Sequence, residues 1–120
     1  MHPRIKSFKY AINGLKVMFA EEPHARFHVI AAIAVVTAGF YFDISHGEWL
    51  AIILCIGGVL AAEALNTAVE NLGNAISQDH NLSIGNAKDV SAAGVLIISF
   101  SSAIIGGIIF IPRILELFDV

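Results

Sequence analysis

Apolar and polar positions divide the chain into four stretches. In IKSFKYAINGLKVMFA, Ile5, Phe8, Ile12, Leu15 and Phe19 fall within an arc of about 80° when wound at 100° per residue. Lys6, Lys9, Asn13 and Lys16 fill an adjacent arc. The pattern predicts a helix over about residues 5–20 that lies in a membrane interface, apolar side down and lysines toward lipid phosphates. A helix packed on a soluble core fits less well, because the rest of the chain is too apolar to provide one. Pro23 opens the next helix or separates the two.

Three longer apolar runs follow. FHVIAAIAVVTAGFYF predicts a first span over about 26–43, with Arg26 and the aromatic trio Phe40, Tyr41 and Phe42 at its two interfaces. DISHGE, residues 43–48, reads as a tight turn. A second helix is predicted over about 48–76, its last third polar on one face. QDHNLSIGNAKD, residues 78–89, reads as a loop with a turn signal at Gly85-Asn86. VSAAGVLIISFSSAIIGGIIFIP then runs 23 residues without a charge and predicts a third span over about 89–112. Its Ser, Ala and Gly residues allow close helix approach in lipid, where packing drives association.

Composition agrees. Hydrophobic residues make up 57% of the 120 residues and charged ones only 14%, with a mean hydropathy of +0.76. A soluble domain is about a quarter charged. The expected fold class is therefore an all-α membrane protein: an N-terminal amphipathic surface helix and three transmembrane helices forming one domain over 1–120. Three helices enclose little interior, so a homo-oligomer is expected to bury the small-residue faces. The single Cys55 excludes a disulfide within the chain. The N-terminus has no apolar run ending in a small-residue cleavage site, so no cleavable signal is expected.

Charge placement sets the orientation. Five of the seven Lys and Arg residues (Arg4, Lys6, Lys9, Lys16, Arg26) precede residue 27, the 43–48 turn has none, and Lys88 lies in the second loop. The positive-inside rule puts the N-terminus and the 78–89 loop in the cytoplasm. Two polar segments are thus expected on the side that contains ATP.

The chemistry centres on AAEALNTAVEN, residues 61–71, which continues a membrane-grade run without any Lys or Arg. Glu63, Asn66, Glu70 and Asn74 fall at about 0°, 300°, 340° and 20° around a helix, a stripe about 16 Å long. A carboxylate deep in a bilayer costs about 2.5–3.5 kcal/mol on insertion scales, so such residues mark protein interiors or wet, functional cavities. The bland alternative, a helix already emerged into water, is more serious for Glu70 and Asn74 than for Glu63.

Paired carboxylates at the membrane–cytoplasm boundary suit phosphoryl transfer to a lipid. Mg²⁺ favours one or two carboxylates plus substrate phosphates, and the attacking hydroxyl needs a positioned base. Glu70, nearer the cytoplasm, suits the metal. Glu63, one to two turns deeper, suits a general base at headgroup level, where partial desolvation improves it. Glu21 and Glu22 stand at the same level and offer another carboxylate. Lys88 and Asp89 are expected at the start of the third span, where free N–H groups favour phosphate; each alone is equally an interface anchor or a helix cap. There is no phosphate-binding loop and no protein-kinase signature. His24 and His28 share i, i+4 spacing, but no third soft ligand accompanies them, so a zinc site is not expected.

With these residues assembled, the chain resembles the small prokaryotic integral-membrane diacylglycerol kinase and undecaprenol kinase family. The likeness runs through SFKYAINGL (7–15), EPHARFH (22–28), EALNTAVE (63–70) and AKDVSAAGVLI (87–97). The resemblance implies a homotrimer that phosphorylates a lipid alcohol with MgATP in the cytoplasmic membrane and uses no nucleic acid. By position, it makes Glu63 the proton acceptor, with Asn66 as an active-site amide and Glu22 and Glu70 as metal carboxylates. It places Tyr10, Glu22, Glu70, Lys88 and Asp89 at ATP, with Asp79, His80 and Asn81 in a loosely matching nucleotide-contacting stretch. Glu63 and Lys16 are expected at the lipid substrate. Many relatives carry Asp where Asn74 stands, so any metal or ATP contact by that carboxylate is missing here. The Glu22-x-x-x-Arg26-x-His28 pattern leans toward the undecaprenol kinase branch and a polyprenol acceptor.

Two other classes compete. A small oligomeric transporter or channel subunit would use Glu63 as an intramembrane relay, but would have no need of Lys88-Asp89 on one side. A structural membrane scaffold would leave both glutamates without a task.

Overall fold

The computed structural model describes residues 2–77 and 79–119. Four helices follow in order: α1 (Pro3–Glu21), α2 (Pro23–Phe42), α3 (His46–Ile76) and α4 (Leu82–Leu117). The last three are long and apolar enough to cross a membrane. The expected all-helical class, a surface helix and three candidate spans, is what the chain adopts.

Local chemistry explains most boundaries. Glu22 leaves the helical region at φ −114° and caps α2 by accepting from the His24 N–H, while Pro23 fills the first helical position. That single break separates α1 from α2. Asp43 ends α2 in the left-handed conformation at φ 52°. The turn expected over 43–48 is shorter, because Ser45 and Glu48 form a reciprocal capping box that starts α3 at His46.

The largest departure lies at the second connection. Residues 82–89, expected as loop, are helical, because Asn81 accepts from the Ile84 N–H at 3.1 Å and starts α4 at Leu82. The Gly85-Asn86 turn signal is overridden within a helix of 36 residues. Gln78, first in the expected loop, lies outside the described residues. The C-terminal end is also longer than expected, since Pro112 sits inside α4 rather than ending it.

α3 is the central helix, in contact with each of the other three. The buried apolar cluster Ile44, Ile52, Ile109 and Phe110, flanked by Val35, Phe42 and Trp49, lies where α2 ends, α3 begins and α4 finishes. A fork of two hydrogen bonds, Arg113 Nη1 to Glu48 Oε2 at 2.9 Å and Nη2 to Oε1 at 2.8 Å, ties α3 to α4 at that same end. The rest of the helix surface is largely aliphatic and exposed, as a lipid-facing surface would be.

Gly39 shows how tightly this end is packed. A Cβ there would stand 2.6 Å from Trp49 Cη2 and 2.9 Å from Cζ2. Gly39→Ala is therefore expected to destabilise the protein by about 1–3 kcal/mol through overpacking, read as earlier thermal unfolding in micelles. An unchanged melting curve would mean that the indole swings aside freely.

Candidate active site

The opposite end carries the polar chemistry. α3 buries Glu63 at 1% exposure and Asn66 at 9%, with Thr67 at 7%. Thr67 is accounted for, because its hydroxyl donates to the Glu63 carbonyl at 2.9 Å. Glu63 and Asn66 are not: among the described residues, Glu63 Oε1 and Asn66 Oδ1 are buried without a hydrogen-bond partner. A buried acceptor without a donor costs about 1–3 kcal/mol, more when charged. Such groups persist where a ligand supplies the missing donor.

α2 brings the next residues. Its N-cap Glu22 has an 18% exposed side chain, and both of its contacts fall on Oε1: the His24 N–H at 3.3 Å and His24 Nδ1 at 3.2 Å. One turn on, His28 Nε2 faces Glu63 Oε1 at 3.3 Å. The two histidines thus face different carboxylates, and His24 is 80% exposed, so their spacing does not make a metal pair.

A second group lies further along α3. Lys88 reaches across from α4, its ammonium donating to Asn74 Oδ1 at 2.6 Å and standing 3.4 Å from Glu70 Oε2. Gly73 makes room for it, since a Cβ there would lie 2.9 Å from Lys88 Cε and 3.0 Å from Ile84 Cγ2. Glu70 is 42% exposed on its side chain, and a pair so open is worth only about 0–1 kcal/mol. An incoming phosphate could therefore take Lys88 over. Between the two groups, Asn71 donates to Glu21 Oε2 at 3.0 Å and fastens the end of α1 to α3.

One expectation is corrected here. Lys88 and Asp89 do not open the third span. They are the seventh and eighth residues of α4, past the first turn whose N–H groups are free. Lys88 can serve an anion only through its side chain, and Asp89 is neither a cap nor placed at a helix start. Asn81 spends its Oδ1 on capping α4, Asp79 receives the Ser77 hydroxyl on its carbonyl, and His80 is exposed. Tyr10 is 74% exposed on α1, and Lys16 is exposed on the same helix. The described residues do not join Tyr10 or Lys16 to the Glu63 group by hydrogen bonds.

Two clefts adjoin the site. One of about 340 Å³ lies between α1 and α3, lined by Gly14, Met18, Ala64, Thr67, Ala68 and Asn71 among others. The other, about 320 Å³, runs down from His28 between α2, α3 and α4 past Val59, Leu60, Ser99 and Ser102. Among the described residues no group of three or more His, Cys, Asp or Glu side chains is assembled around one metal position. Two carboxylates with hard oxygen donors, Glu22 and Glu70, nevertheless suit a cation that takes its remaining ligands from water and phosphate.

Along the sequence, His28 stands in i, i+4 spacing with His24, and Asn74 closes the polar stripe of α3 where many relatives carry Asp. Position on one helix gave no sign of a partner on another.

Comparison with known proteins supplies the rest. The prokaryotic diacylglycerol kinase family profile matches residues 9–110. An undecaprenol kinase of Bacillus subtilis is 38% identical over 109 residues, covering 91% of this chain and 89% of the relative. A diacylglycerol kinase of Haemophilus influenzae is 33% identical over 107 residues, covering 88% and 91%. One of Synechocystis is 32% identical over 114 residues, covering 92% of this chain and 64% of its own length.

Proposed function

The chain belongs to the prokaryotic diacylglycerol kinase family, and from that membership we propose that it transfers the γ-phosphoryl group of ATP to the hydroxyl of a polyprenol, with Glu63 as general base. It is a lipid kinase. Family membership leaves the transporter and scaffold readings without support.

The observation that carries the site assignment is Glu63 itself: a carboxylate, hence a hydrogen-bond acceptor, held at 1% exposure on a membrane-grade helix. A lipid hydroxyl is a donor of the required kind at the required depth. Glu63 accepts its proton as the lipid oxygen bonds to the γ-phosphorus. The bond from that phosphorus to the β–γ bridging oxygen breaks, and ADP leaves. The proton on Glu63 then passes to water, restoring the base. Asn66, one turn along the same stripe, orients the hydroxyl by donating from its Nδ2 to the lipid oxygen.

Glu22 and Glu70 are the residues proposed to hold Mg²⁺, which would offset the charge of the phosphates there. Lys88 contacts the phosphates through its ammonium. Tyr10 and the Asp79-His80-Asn81 segment are assigned to the nucleotide, with Asp89 beside Lys88, and Lys16 to the lipid headgroup. In this reading the site faces the cytoplasm, the protein resides in the bacterial inner membrane, and the chain assembles as a homotrimer.

A polyprenol is favoured over diacylglycerol because identity to the undecaprenol kinase of B. subtilis, 38%, exceeds the 33% and 32% to two diacylglycerol kinases. Incubating the protein in micelles with radiolabelled ATP and each lipid in parallel tests this. Labelled polyprenyl phosphate should form with a kcat/KM roughly tenfold above that for phosphatidate, a difference of about 1.4 kcal/mol in transition-state binding. A reversed ratio would transfer the assignment to diacylglycerol.

A further inference from the structure

His28 has no part in the phosphoryl transfer so far, yet its side chain meets the Glu63 carboxylate from another helix. We propose that His28 is a positioning residue, donating from Nε2 to Glu63 Oε1 so that Oε2 is held toward the lipid hydroxyl. The inference rests on Glu63 being the base.

Three observations support it. The Nε2–Oε1 separation is 3.3 Å, and no better-placed donor meets Oε1 among the described residues. Catalytic contacts in unliganded enzymes are often long and tighten when the substrate arrives. Next, the backbone that carries His28 is firmly held. Glu22 caps α2, Pro23 fixes its first turn, Ala25 is fully buried, and Asn71 ties Glu21 to α3 just before the break. Finally, His28 stands where the apolar cleft between α2, α3 and α4 reaches the site. A glutamate has three rotatable bonds. A hydrogen bond from His28 to Oε1 would restrict those rotations and favour a rotamer that presents Oε2 to substrate.

The alternative is that His28 merely fills space beside Phe27, whose ring lies edge-on at 5.7 Å. Variants separate the two roles. The full-length protein is assayed in micelles at saturating MgATP and polyprenol as wild type, His28→Leu, His28→Gln, Glu63→Gln and the double variant His28→Leu/Glu63→Gln. Melting curves confirm that each is folded. His28→Leu should lower kcat by roughly tenfold or more, as loss of an orienting partner does, with KM for ATP unchanged. His28→Gln keeps an N–H donor and should recover most of that loss. Because His28 acts through Glu63, the double variant should be no slower than Glu63→Gln alone.

Wild-type turnover in His28→Leu would overturn the assignment. So would equal loss in the Leu and Gln variants, or a double variant slower than Glu63→Gln. Normal turnover in Glu63→Gln is a distinct outcome: it removes the base assignment itself, and His28's role with it.

Discussion

Glu63→Gln is expected to lower kcat by roughly 10²–10⁴-fold, the range for loss of general-base catalysis, while leaving KM for ATP little changed. The substitution keeps the size and shape of the side chain, so the buried position tolerates it sterically. It replaces an oxygen that can take a proton by an amide that cannot. The carboxylate is 1% exposed, so bulk water has poor access to substitute for it as acceptor. Glutamine keeps a side-chain oxygen that can accept from His28, so the change should leave the melting temperature near that of the wild type. A rate loss with preserved stability would identify chemistry rather than folding. Near-normal turnover at saturating ATP would remove Glu63 from the reaction.

Lys88→Met is expected to lower kcat/KM for ATP by roughly 10²-fold, the size of effect seen when one preorganised donor to developing charge is removed. Methionine keeps most of the stem that lies over Gly73. The loss is thus confined to the ammonium, which now donates to Asn74 at 2.6 Å and stands 3.4 Å from Glu70. Asn74 matters here because it is neutral: it holds the ammonium without adding a second negative charge to that of Glu70. Lys88→Arg should restore little, since a planar guanidinium does not fit a seat shaped by a glycine and one amide oxygen. The competing possibility is an anchor at the membrane surface, and it predicts unchanged kcat/KM for ATP in Lys88→Met.

The helices were legible to different degrees, for physical reasons visible in individual residues. Spans α2 and α3 could be found from local composition, because a bilayer imposes length and apolarity on consecutive residues. The start of α4 could not. Gly85 and Asn86 favour a turn in isolation, but the Asn81 cap and the packing of Ile84 and Lys88 on Gly73 of α3 keep them helical. Propensity is a weak prior, and a tertiary contact overrode it. Correcting that boundary changed the chemistry as well. It moved Lys88 from a helix terminus to a helix face, where it acts through its side chain alone.

The sequence by itself determined that the protein is helical and membrane-embedded, that its carboxylates lie in one stripe on α3, and which family it resembles. Each of those properties is local: a repeat of 3.6, a run of apolar residues, a motif of a few positions. Only the tertiary structure decided the partners. Asn71 with Glu21, Lys88 with Asn74 and Arg113 with Glu48 are separated by 50, 14 and 65 residues, and His28 meets Glu63 across two helices. Such pairs depend on how far one helix is rotated and slid against its neighbour. Packing along the whole helix, including contacts such as Trp49 against Gly39 at the far end, fixes that register. No periodicity within a single helix carries that information.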